Sequence, residues 1–194
     1  MLDQCFPDSR IDRVDFLKLS IAGYAERVIV SDWSLYGIAA DAYDGVLSVV
    51  PIHHANASEK NHYLQGAFRV LRPGGVLAFA EVEAGSSVEH FLDEFIDQHT
   101  VTGHRGEYPD THFCEAIRRE GFVEVSSEVR DCPWVFESET LLCAYATQLF
   151  ALKPMATDTL LSAMDAALGL KQIDGKLHLT WPLRFFRGVK PLVA

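Results

Sequence analysis

One stretch limits the folds open to this chain more than any other: YDGVLSVVPIHHANASEKNHYLQGAFRVLRPGGVLAFAEV, residues 43–82. GVLSVV (45–50) is apolar except for Ser48, as expected of a strand covered on both faces. Residues 58–72 then place Tyr63, Leu64, Ala67, Phe68 and Leu71 on one helical stripe, and Pro73-Gly74-Gly75 ends it. A second apolar run, GVLAFAEV (75–82), follows at once. Strand, helix and strand in about forty residues form a crossover unit, which joins strands in parallel. The expected class is therefore α/β, with a Rossmann-like, mostly parallel sheet. His53 and His54 fall just beyond the first strand, where open α/β sheets bind their ligands.

The flanking sequence extends this pattern. DSRIDRVDFLKLSI (8–21) spaces Ile11, Val14, Phe16, Leu17 and Ile21 for a helix, and ERVIVSD (26–32) reads as a strand. Ser86 and Glu89 have capping-box spacing ahead of Val88, Phe91, Leu92, Phe95 and Ile96. Asp110 could cap a helix running to Arg119, with Gly121 past its end, and FVEVSSEVR (122–130) alternates like a peripheral strand. Helices near 139–152 and 158–168 follow Ser138 and Thr157 as caps. KLHLTWPLRFF (176–186) alternates again, with Pro182 favouring an edge or a bulge. No repeat or linker interrupts the chain, so residues 1–194 read as a single domain.

Charge narrows the partners. A formal net charge of −10, spread rather than blocked, argues against nucleic acid, and no apolar run reaches the length of a membrane span. The first residues, MLDQCFPDSRID, do not form a secretory signal. Cys5, Cys114, Cys132 and Cys143 show no CxxC spacing and read as reduced thiols. These features suit a cytoplasmic protein that handles a small molecule.

The ordered set Tyr43-Asp44, His53-His54 and Leu71-Arg72-Pro73-Gly74-Gly75 resembles the second half of the class I S-adenosylmethionine-dependent methyltransferases of the small-molecule group. The resemblance implies a Rossmann-like sheet with an antiparallel C-terminal strand. It implies S-adenosylmethionine as cofactor, S-adenosylhomocysteine as product and a small-molecule acceptor. It would give Asp32 the acid that binds the adenine amino group, Trp33 a face against that ring and Asp3 the acid for the ribose hydroxyls. Ser48 and Val49 would offer backbone to the methionine part. Segments 85–115 and 133–170 would form the lid and the acceptor site.

One departure is large. The family carries a glycine-rich GxGxG loop after its first strand, and these residues contain no GxG and no glycine before Gly23. The chain thus reads as starting near the end of the second strand. Without its central strand a sheet exposes unpaired backbone, which a longer natural chain, re-pairing of the remaining strands or a homo-oligomer sharing the exposed edge would cover; the homo-oligomer is expected if these residues are the whole protein. The same absence raises an alternative: a non-catalytic methyltransferase-like binding or assembly protein.

Each candidate has a plain structural reading beside the functional one. His53 or His54 could serve as general base or orient an acceptor, since imidazole titrates near neutrality; both could equally be structural. Asp32 could be a turn residue and Trp33 a core residue. Glu81 and Glu83, at the end of the next strand, could face substrate but read rather as solvated loop acids. His99, His104, His112 and Cys114 match no familiar zinc spacing, so no metal is expected. Their glycine-containing stretch, 99–114, reads as a mobile lid.

Overall fold

In the computed structural model, which describes residues 11–15, 28–50 and 52–192, the crossover unit forms as the sequence implies. Two short strands come first, β1 (Arg13–Asp15) and β2 (Val28–Val30). Then β3 (Tyr43–Val49) leads through a 3-10 turn at Ile52–His54 into helix α1 (Ala57–Val70), which runs directly into β4 (Leu71–Glu81). Asn56 starts α1 through a full capping box: its side chain accepts from the Glu59 amide, and the Glu59 carboxylate accepts from the Asn56 amide. At the other end Leu71 is already extended (φ −70°, ψ 136°), so strand geometry begins two residues before Pro73. Gly74 sits at φ +82°, where a side chain would be strained.

Downstream, Ser87–His90, a π-helical stretch Phe91–Ile96 and Asp97–His99 make one helical rod. The Ser86 hydroxyl accepts from the Glu89 amide at its start. Helix Phe113–Arg119 is followed by β5 (Val123–Asp131) and β6 (Trp134–Phe136). Helices Glu139–Leu149 and Thr157–Leu168 lead into β7 (Leu170–Ile173), β8 (Lys176–Leu179) and β9 (Pro182–Val189).

The main sheet has the order β3-β4-β9-β5. β3 lies parallel to β4, with Val46 opposite Leu77, while β9 enters antiparallel between β4 and β5. β1 and β2 form a separate parallel pair, and β6-β8-β7 a small antiparallel sheet. Apolar layers cover the main sheet. One contains α1, Leu77, Ile117 and the stacked rings of Phe79 and Phe186, whose centroids are 4.7 Å apart. The other gathers Val88, Leu92, Ile96, Leu142, Leu160, Met164 and Trp181. A fully buried side chain such as Phe79 contributes about 1.5–3 kcal/mol.

Several expectations are corrected. The helix over 8–21 is not formed at Arg13–Asp15, because a parallel ladder with Val28–Val30 takes those residues; the remainder of that segment lies outside the described residues. β3 is not covered on both faces. Leu47 and Val49, which share a face, are 54% and 60% exposed, and among the described residues no strand pairs with the other edge of β3. KLHLTWPLRFF is not one edge strand but two strands in different sheets. Pro182 is tolerated in the inner strand β9 because it is the first residue. Thr157 does not cap its helix; Ala156 holds that position, without a side-chain bond. Asp110 forms the turn ahead of its helix, accepting from the His112 amide, rather than the cap itself. Cys114, Cys132 and Cys143 are free thiols, and Cys5 lies outside the described residues.

Candidate functional site

Parallel pairing brings the carboxyl ends of β3 and β4 side by side. Glu81, the last residue of β4, is fully buried and ties the two ends together. One carboxylate oxygen accepts from the amides of Ile52 (2.7 Å) and His53 (3.2 Å). The other accepts from the Val82 amide and meets Nδ1 of His53, each at 2.8 Å. An ionised carboxylate only accepts, so it fixes the His53 proton on Nδ1. Nε2 of His53 is left buried with no hydrogen-bond partner. The expectation that Glu81 is a solvated acid is thereby overturned: four donors hold it inside. Glu83 is not free either, since Arg184 reaches it through Nε at 2.8 Å.

The stretch after the helical rod folds over this turn. The Glu107 amide donates to the His53 carbonyl at 2.8 Å, and buried Lys60 donates to the Glu107 carbonyl. Tyr108 stacks on His53 with centroids 5.1 Å apart and donates its hydroxyl to Asp93 at 2.7 Å. His104 approaches the same Asp93 oxygen at 3.6 Å. His54 and His104 lie 4.0 Å and 5.5 Å from the His53 ring. Shielding from water, then the neighbouring His53 and His104, holds the pKa of His54 well down, at about 4. Burial foremost lowers that of His104 also, despite Asp93. Both rings are therefore neutral at pH 7. Burial, then the bond to Asp93, pushes the Tyr108 phenol upward.

These imidazoles form one wall of a cleft of about 380 Å³, beside Val49 and Val50. Aromatic rings line it too: Trp134 and Trp181 stack 4.2 Å apart, with Tyr145 edge-on to Trp134 and Phe150 alongside. A mostly apolar cleft with a few convergent polar groups is the usual form of a small-molecule site.

The other sequence candidates are placed differently. Asp3 lies outside the described residues. Asp32 is exposed, and its carboxylate accepts from the amide (2.9 Å) and hydroxyl (2.5 Å) of Ser34. The hydroxyl bond foremost lowers its pKa. Trp33 sets its ring edge-on to Tyr63 at 6.4 Å and packs with the α1 cluster. Ser48 faces the buried Tyr63 phenol, whose pKa burial raises and Ser48 partly restores. Val49, His53 and His54 therefore meet in the cleft, whereas Asp32 and Trp33 do not line it. The sequence reading named Glu81 without its enclosure, and missed His104 as a neighbour of His53, and Trp181. It also passed over Asp15, which ends β1 opposite Val30 and so stands beside the strand leading to Asp32.

The fold has counterparts among solved structures. A SAM-dependent methyltransferase of Archaeoglobus fulgidus aligns over 91% of this chain and 74% of its own, with TM-score 0.53 and 14% identity. A Bacillus halodurans protein assigned as a methyltransferase aligns over 85% and 78%, with TM-score 0.54 and 14% identity. The fold is that of the class I SAM-dependent methyltransferases. A Thermotoga maritima SAM-dependent methyltransferase, described as a possible histamine N-methyltransferase, aligns over 84% of this chain and 63% of its own, at TM-score 0.52 and 14% identity. No family model matches the sequence, and no curated protein does. In this methyltransferase fold the cleft lies at the carboxyl ends of the parallel pair, and β9 is the antiparallel C-terminal strand that the resemblance implied. No helix among the described residues is long and apolar enough to cross a membrane.

Proposed function

We propose that this protein transfers a methyl group from S-adenosylmethionine to a small, largely apolar or aromatic acceptor in the cytoplasm, releasing S-adenosylhomocysteine. The observation that carries this reading is the cleft itself: aromatic rings and imidazoles line one hollow at the end of β3, on a methyltransferase fold. The sulfonium is already activated, so the protein's work is to place the acceptor in line and exclude water. Trp134 and Trp181 would hold the acceptor's apolar body. His54, neutral and open to the cleft, can orient the acceptor's heteroatom or take its proton; His53, tied to Glu81, positions it. Segments 85–115 and 133–170 supply the lid and acceptor walls. Asp3, Asp32, Trp33, Ser48 and Val49 are assigned to the cofactor side.

Calorimetric titration of the full protein with S-adenosylhomocysteine is expected to give a micromolar Kd, and Asp32→Ala to weaken it roughly tenfold, the scale of a lost charged hydrogen bond. Binding no tighter than millimolar would contradict methyl transfer. It would leave the second reading, a non-catalytic protein that uses the cleft for binding alone, which the edge of β3, unpaired among the described residues, favours. That edge, with Leu47 and Val49 exposed beside it, suits pairing with the same strand of a second copy. Light scattering on the eluting protein is expected to give twice the 21.6 kDa chain mass, and a monomer mass would remove this pairing.

A further inference from the structure

The histidine wall has a property that methyl transfer does not require. Among the described residues, His53, His54 and His104 each offer one ring nitrogen, and these atoms lie within 4.8 Å of one another. We propose that they form a three-histidine site for a divalent transition ion, Zn²⁺ by preference, with its remaining coordination position open to the cleft. The inference does not rest on the methyl-transfer reading; it needs only the three imidazoles and their supports.

Four observations converge. His53 is 3% exposed, and its Nε2 lone pair has no donor to meet. Leaving such an atom unmatched is costly, and a metal ion would match it. Its other nitrogen is bound to the Glu81 carboxylate at 2.8 Å, the arrangement that orients a metal-binding histidine and raises its basicity. Nδ1 of His104 is likewise buried with no hydrogen-bond partner, its nearest carboxylate oxygen, of Asp93, standing 3.6 Å away. Finally, two nearby carboxylates, Glu81 and Asp93, would balance the charge of a doubly positive ion among neutral ligands.

Geometry sets the size of the adjustment. Tetrahedral zinc, with Zn–N bonds of about 2.0–2.1 Å, holds its ligand nitrogens about 3.3–3.4 Å apart. The widest present separation therefore has to contract by up to about 1.5 Å, within the compass of side-chain rotation. Glu81 holds His53 still and the His104 amide is held by Asp97 at 2.8 Å, so the adjustment falls on the side-chain torsions of His54 and His104. Imidazoles suit zinc, copper, nickel and iron better than magnesium or calcium. An open position on such an ion would polarise or hold a heteroatom of whatever occupies the aromatic side of the cleft.

The test uses the full, untagged protein without S-adenosylmethionine, so its result is separable from that of the cofactor titration. After exposure to Zn²⁺ and exhaustive dialysis, one equivalent of zinc per chain is expected by elemental analysis. Co²⁺ is expected to give the visible bands of a four-coordinate ion. His54→Gln and His104→Gln should each lower zinc affinity by tenfold or more, while His112→Gln, outside the cluster, should not. Circular dichroism of each apo variant confirms that it folds, and His54→Ala with His104→Ala provide a second pair should the glutamines bind. Absence of retained zinc, or retention unchanged in both variant pairs, overturns the proposal.

Discussion

Replacing Glu81 by alanine is expected to lower the unfolding free energy by about 3–5 kcal/mol, the cost of breaking a buried charged network by removing one partner. The carboxylate is fully buried and receives three amides and one imidazole. Alanine would leave all four donors without an acceptor and open a void at the end of β4. For a chain of this length the midpoint of thermal unfolding should fall by roughly 10 °C. Glu83→Ala is the comparison: its partner Arg184 is largely buried, but Glu83 itself keeps 26% of its side chain exposed. That loss should be about 1 kcal/mol. Urea denaturation followed by circular dichroism checks both. Similar costs for the two variants would show that Glu81 does not staple the strand ends.

Gly66→Ala is expected to destabilise the protein by about 1–3 kcal/mol, as overpacking in a close-packed interior does. On a solvent-facing helix the same change would stabilise by about 1 kcal/mol. Here the sign reverses because an added Cβ would stand 2.3 Å from the carbonyl oxygen of Ser34 and 2.6 Å from its carbon. Those are backbone atoms, and Arg69 holds their loop by donating to the carbonyls of Ile38 (2.6 Å) and Leu35 (2.8 Å). The helix cannot retreat without lifting Tyr63 and Ala67 from the core. The loop should therefore shift, carrying Asp32 with it, and cofactor affinity should fall together with stability. A stabilised variant with unchanged affinity would contradict this packing.

Much of the fold was legible because its strongest signals are local. The βαβ unit declares itself through two apolar runs, a helical stripe and a Pro-Gly-Gly stop. β5 shows the alternation of a half-exposed strand. Arg13–Asp15 was misread because a three-residue ladder has no periodicity of its own, so the helical spacing of Ile11, Val14 and Phe16 prevailed. The exposed face of β3 could not be read from GVLSVV, since an apolar run is the same whether or not another layer covers it. Pro182 was placed at an edge by a rule about strand interiors; being the first residue of β9, it escapes that rule.

The candidate site was legible only in part, for a related reason. His53 and His54 stood out as polar residues at a strand end. Glu81 offered the same signal at the end of β4, yet an acid there is more often solvated than enclosed by four donors. His104 comes fifty residues later on a stretch without regular structure, so its approach to His53 is a tertiary fact. Asp32 behaves as a turn residue in its hydrogen bonds, with its carboxylate engaged by Ser34. Binding the adenine amino group would require that carboxylate to share or exchange these partners.

Hydrogen–deuterium exchange of the full protein with and without saturating S-adenosylmethionine bears most directly on the central claim that the ends of β2 and β3 border the ligand site. Slower exchange is expected at the amides of residues 31–36, 47–50 and 52–54, with β5 on the far side of the sheet unaffected. Unchanged exchange at those residues, or protection confined to β5, would contradict it.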